Sequence, residues 1–219
     1  MRVFHFLKAE HALAALHKSR IKIARINELN DPFELLCADM RDPRHRQGFQ
    51  SFKAKCARTF GYLCFTKTWK NLMLWSMYAD KHQGAALEVE LSDEAAMPVK
   101  YREKRIVWDV EKIMQSGGFS QDRVDIISTT KSNHWKYEKE IRAAAPLVDA
   151  EREGNLYFST VDIRGIVLGA LSKISEEQIR DALPQGKSVK VTWARLAFGS
   201  YDVVRRKDLS VKTVTGRER

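Results

Sequence analysis

The order of elements predicts an α+β fold: a single domain over residues 1–219, with mixed or antiparallel central sheets and flanking helices. Three observations carry this. Segments of helical spacing fall mainly in the first half, and strand-length apolar or alternating segments dominate the second. No Pro-, Gly- or Ser-rich stretch reads as a linker, and 219 residues at 44% hydrophobic content can fill one substantial core. No internal repeat or low-complexity tract points to a solenoid or an extended chain.

Taken in order, the apolar run at 2–7 predicts a strand. Residues 9–19 predict a helix, with Ala9, Ala12, Leu13 and Leu16 on one stripe. Ile21 and Ile23 alternate with Lys22 and Ala24 and suit a strand. The segment 27–32 breaks it, because Asn30-Asp31-Pro32 is turn chemistry and proline biases Asp31 away from the helical region. A second amphipathic helix is expected over 44–59, with Phe49, Phe52, Cys56 and Phe60 near one face, and a buried strand over 62–66. Asn71 is placed to cap a helix over 72–80. Gly84 opens a strand in which Leu87, Val89 and Leu91 alternate with Glu88 and Glu90.

Residues 99–108 read as extended, 109–131 as mixed with a helix from Asp122, and 135–147 as a strand entering the core. Another apolar strand is expected at 161–168. Ser175 and Gln178 have the spacing of a capping box. Strands at 188–196, 201–205 and 209–214 close the chain.

The totals narrow the function classes. No run of about eighteen apolar residues is present, which argues against a membrane span. The first ten residues are too interrupted for a secretory signal. The three cysteines, Cys37, Cys56 and Cys64, form no CxxC and fit free thiols in a reducing cytoplasm. The net charge of +10 favours a polyanionic partner, nucleic acid or another acidic macromolecule, and 41–58 is the densest basic region. There is no GxGxxG or Walker sequence, no HExxH or GxSxG, and no His–Cys spacing suited to zinc, so no metal is indicated.

Three segments are site candidates. In Trp135-Lys136-Tyr137-Glu138-Lys139-Glu140-Ile141-Arg142, a strand would project Glu138, Glu140 and Arg142 from one face. A helix would instead pair Glu138 with Arg142, and the plainest alternative is a solvated ion-pair face. Asn30 and Asp31 offer hydrogen bonds at a cleft mouth, with Phe33 as a wall, although a turn needs no function. In 75–80, Trp75 is core or a ligand platform, and Tyr78 needs a hydroxyl partner if buried.

These blocks, together with Cys64-Phe65-Thr66, His82, Gly84 and Ile166-Val167-Leu168-Gly169, stand in an order that resembles a widespread bacterial domain-of-unknown-function family. That family carries NDPFE, CFS, MWxxYAD and WxYExExR signatures, and the match covers roughly residues 3–170. More distantly, the element order is similar to ADP-ribosyltransferase domains, including those acting on DNA.

That second resemblance implies NAD as substrate and transfer to nucleic acid or protein, in a bacterial defence or toxin setting. It gives His5 the first-strand position, Tyr78 the helical tyrosine, and Glu140 the late-strand glutamate, with Glu138 completing an ExE pair. His5, Tyr78, Asn30, Asp31, Trp75 and Arg142 would then hold the cofactor. Two features depart from the pattern. His5 is followed by Phe6 rather than Gly-Thr, and the serine-threonine-serine element of the arginine-type branch is absent. A non-catalytic nucleic-acid-binding or ligand-sensing domain is the competing expectation.

Overall fold

In the computed structural model, which describes residues 1–217, the chain forms helices packed on mixed sheets, an α+β arrangement. The strands are β1 (Arg2–Leu7), β2 (Arg20–Lys22), β3 (Ala24–Arg25), β4 (Phe60–Thr66), β5 (Ala85–Glu90), β6 (Met97–Pro98), β7 (Lys100–Arg102), β8 (Thr130–Ser132), β9 (Glu140–Pro146), β10 (Glu151–Glu153), β11 (Leu156–Thr160), β12 (Asp162–Leu168), β13 (Ser188–Leu196), β14 (Val203–Arg205) and β15 (Lys212–Thr215). The helices are α1 (Ala9–Lys18), α2 (Pro43–Thr59), α3 (Leu72–Tyr78), α4 (Val110–Gln115), α5 (Gln121–Ser128) and α6 (Glu176–Ala182).

The main sheet runs β14-β13-β12-β5-β1-β4-β9-β6, with β15 on β13 and β3 on β4. Only β12 and β13 are parallel within it, and the other pairs are antiparallel. Along its middle β1 pairs with β5 at six successive positions, Arg2↔Glu90 to Leu7↔Ala85. Close approach fixes the start of β5: a Cβ on Gly84 would lie 2.1 Å from the Leu7 carbonyl oxygen, so no larger residue fits there. On its other edge β1 meets β4 at one position, Phe4↔Thr66. β4 is meanwhile fully paired with β9, from Phe60↔Pro146 to Thr66↔Glu140. The sheet therefore parts between β1 and β4.

Three apolar clusters hold the two halves. One packs α1 and α6 on one face, around Leu16, Leu87, Ile141 and Ile166. A second sets Leu74, Trp75 and Ala79 of the α3 region against Phe4, Phe6 and Ala86 on the opposite side of β1 and β5. The third joins α2 to β4 through Phe49, Cys56, Tyr62 and Ile127. The expected caps are present. Asn71 accepts from the backbone N–H groups of Met73 and Leu74, and Ser175 and Gln178 exchange the two bonds of a capping box.

Several expectations change. Residues 135–147 are not one strand. Asn133–Glu138 is a turn of 3₁₀-helix, and the strand starts at Glu140. The extended reading of 99–108 survives only as β7, because the chain bends at 103 and 104. Two elements were not expected: α4, and the hairpin β10–β11, which turns at Gly154 (φ 57°) and adds β2 to make a separate three-stranded sheet. No helix among the described residues is long and apolar enough to cross a membrane.

Candidate functional site

Where β1 and β4 part, a cavity of about 380 Å³ opens, within the range of small-molecule sites. β3 occupies β4 further along the same edge, at Gly61 and Tyr62, so Cys64 lies between the two pairings. His5 fills that position with its side chain. Its Nδ1–H donates to the Cys64 carbonyl oxygen at 2.8 Å. A carbonyl can only accept, so this bond selects the Nδ1–H tautomer and leaves Nε2 as an acceptor. Burial then pushes the His5 pKa below the usual histidine value, against the smaller upward pull of the Cys64 bond, which keeps the ring neutral.

The far wall of the cavity is polar. The 3₁₀ turn ending at Glu138 is followed by Lys139 in the left-handed region (φ 47°), and the strand resumes at Glu140. This kink sends both carboxylates inward; only 6% of Glu138 and 5% of Glu140 is exposed. The pairing of Glu138 with Glu140 thus comes from a backbone reversal, not from strand alternation as the sequence suggested.

A continuous hydrogen-bonded chain runs through these groups. Asn30 Nδ2 donates to Tyr78 Oη (3.0 Å), and Tyr78 Oη donates to Glu138 Oε1 (2.7 Å). Lys131 Nζ bridges Glu138 Oε2 (2.8 Å) and Glu140 Oε2 (2.7 Å). Arg142 Nε donates to Glu140 Oε1 (2.8 Å). The Arg142 Nη1 and Nη2 atoms form a two-pronged bond to Glu34, at 2.5 and 2.7 Å, and Nη1 also reaches the Ser128 carbonyl. The chain begins at Asn30 and ends at Glu34, within one five-residue turn. Asp31 holds that turn by accepting from the Phe33 backbone N–H at 2.9 Å.

Burial alone would raise the Glu140 carboxyl pKa. Arg142 and Lys131 beside it outweigh burial and hold it below the ordinary carboxylate range. Burial likewise works against the charge on Lys131, and the flanking carboxylates overcome it and raise its pKa. Burial, together with the adjacent Glu138, pushes the Tyr78 hydroxyl well up, so it stays a hydrogen-bond donor. Tyr101 completes the support. Its hydroxyl accepts from the Glu140 backbone N–H at 2.8 Å, and burial raises its pKa to about 12. Three carboxyl groups face two cations in this network, so its formal charge is one negative unit in excess. The excess lies on the side of Glu138 and Glu140, which line the cavity.

Of the residues singled out from sequence, His5, Asn30, Tyr78, Glu138 and Glu140 line this one cavity, with Phe4, Phe6, Phe65 and Met77 as its apolar walls. Three others do not. Trp75 is fully buried beneath α3 and donates its indole N–H to the Trp69 carbonyl, so it is core rather than a ligand platform. Arg142 is fully buried behind Glu140 and cannot touch a ligand; it orients the carboxylate instead. Asp31 is buried and lines a second, smaller cavity.

Lys131 and Glu34 were missed. Lys131 stands alone in Thr130-Lys131-Ser132 and carries no sequence signal. Glu34 closes a segment already notable for its turn, but its partner lies 108 residues away. The basic segment before and within α2 is partly neutralised. Arg44 pairs with Asp42 and Glu111, and Arg46 donates to the carbonyls of Met40 and Arg41. Lys55 and Arg58 remain exposed without an ion pair among the described residues.

Among the described residues no group of three or more His, Cys, Asp and Glu side chains is placed to hold a metal ion. No family model, curated protein or solved structure matches the chain.

Proposed function

We propose that the chain is an ADP-ribosyltransferase-like enzyme that takes NAD as substrate and transfers ADP-ribose to a macromolecular acceptor, nucleic acid or protein. The carrying observation is the cavity itself. It gathers His5 from β1, Tyr78 from α3 and the Glu138–Glu140 pair ahead of and at the start of β9, on a wall with one negative charge in excess. Such a wall favours a ligand that carries or develops positive charge.

The nicotinamide–ribose bond supplies that charge. When it breaks, its electron pair goes to the ring nitrogen, neutral nicotinamide leaves, and positive charge develops on the ribose C1′ and its ring oxygen, as in glycosidic cleavage. Glu140, held ionised by Arg142 and Lys131, stabilises this charge. The acceptor's oxygen or nitrogen forms the new bond to C1′, and its proton passes to Glu138, whose oxygens keep lone pairs beyond those used by Tyr78 and Lys131. His5 Nε2 accepts from a ligand N–H or O–H, and the aromatic walls give the nicotinamide ring a surface to stack on.

The test is incubation of the folded protein with labelled NAD and cell extract. Label on a macromolecule with matching nicotinamide release is the expected outcome. Folded protein that yields neither would remove the proposal. A second reading, non-catalytic binding of nucleic acid, draws on the net charge of +10 and the open positions Lys55 and Arg58. It predicts binding that weakens steeply with salt and is untouched by Glu138→Gln.

A further inference from the structure

β7 and β8 form a two-stranded parallel ribbon, Lys100↔Thr130 to Arg102↔Ser132, at the back of the acidic network. Alternate positions of a ribbon face opposite ways. Tyr101 and Lys131, which are paired, reach Glu140 on one side. Arg102, Thr130 and Ser132 line a separate cavity of about 150 Å³, together with Lys104 and Arg105 from the bend that follows. Lys131 borders both cavities.

The electrical character of this second cavity is opposite to that of the first. Arg102, Lys104 and Arg105 have no carboxylate within 4.0 Å among the described residues. The acids on its lining are Asp31, already engaged by the Phe33 N–H, and the exposed Glu103. Arg105 is held in place: its Nη1 donates to the Ala38 carbonyl at 3.2 Å, and its guanidinium lies over the Phe33 ring at 4.8 Å. Its other N–H groups remain for a ligand. The Thr130 and Ser132 hydroxyls add uncharged donors.

We infer that this basic cavity is a diphosphate subsite and that it takes the phosphates of the ligand whose ribose occupies the larger cavity. The inference rests on the reading of the larger cavity given above. An elongated ligand with a cationic end and an anionic middle matches an acidic cavity and a basic cavity separated by one two-stranded wall. Guanidinium forks suit phosphate oxygens better than a lone ammonium does.

Titration calorimetry with inorganic pyrophosphate and with ADP-ribose tests it. The comparison is between the wild type, the double variant Arg102→Gln/Arg105→Gln, and the double variant Lys55→Gln/Arg58→Gln, which removes the same charge on α2. ADP-ribose should bind more tightly than pyrophosphate. The first variant should weaken both by roughly tenfold or more, the loss expected for charge-assisted bonds, while the second changes them by less than about twofold. Equal losses in the two variants, or none in the first, would overturn the subsite. ADP-ribose binding no tighter than pyrophosphate would overturn its link to the larger cavity. If this pattern holds but label transfer fails, the catalytic reading falls and the diphosphate subsite stands.

Discussion

The two edges of β1 follow different rules. Toward β5 the strand makes six successive pairs, and its side chains join Leu87 and Val89 in an apolar core. Toward β4 it makes one pair, and the next backbone acceptor, Cys64, is met by the imidazole of His5. The closed edge derives its stability from burial and ladder bonds. The open edge gives up ladder bonds and gains a cavity, whose polar groups must then be satisfied by a network of side chains. The difference teaches where function can be placed: at a seam in the sheet, supported by charges that the fold has fixed.

The largest expected effect comes from breaking the support of the open edge. Arg142→Met leaves Glu34 and Glu140 buried without their cation and should cost about 3–5 kcal/mol, read by urea denaturation. A loss below about 1 kcal/mol would show that water, not Arg142, compensates those carboxylates. On the closed edge, Leu87→Ala should cost about 2–5 kcal/mol through a cavity in the core. Label transfer per folded molecule should be unchanged there, and a selective loss of transfer would blur the distinction between the edges.

Glu138→Gln separates chemistry from stability. Transfer should fall by roughly 10²-fold or more, while circular dichroism shows a folded protein. Full activity in this variant would assign the proton step elsewhere.

A pH titration sharpens the comparison further. His5 titrates below its usual value when folded, so the unfolded chain takes up the proton first. Stability is therefore fully present above about pH 6.5 and declines as pH falls below it. Glu140, whose pKa is also depressed, adds a second decline below about pH 4.5. The melting temperature of His5→Gln should lose the first decline and keep the second. An unchanged profile would mean that His5 is not the titrating group.

The smallest effect is expected for Asn30→Ala. It removes one partly solvated bond to Tyr78, worth about 0.5–1.5 kcal/mol, and should weaken ligand binding more than it lowers the melting temperature.

Much of the fold was legible. The apolar run of β1, the stripe of α1, the capping of α3 by Asn71 and the Ser175–Gln178 box are local signals, and local physics decides them. The kink at Lys139 was not legible, because nothing in a lysine announces a left-handed backbone; the buried partners on both sides of it impose the conformation. For the same reason Arg142 read as a ligand-facing residue. Its row along the strand was visible, but the Glu34 that covers it comes from a turn far away in sequence. The side chains His5, Tyr78, Glu138 and Glu140 could be named one by one. Their meeting in a single cavity depends on the unpaired edge of β1, which no local pattern encodes.

The most direct test of the account is a crystal structure with a non-cleavable NAD analogue bound at saturation. The account predicts the nicotinamide ribose at the seam, against Glu138, Glu140 and His5, with the diphosphate reaching toward Arg102 and Arg105. Electron density for the analogue at any other place, or a seam left empty at saturating ligand, would contradict it.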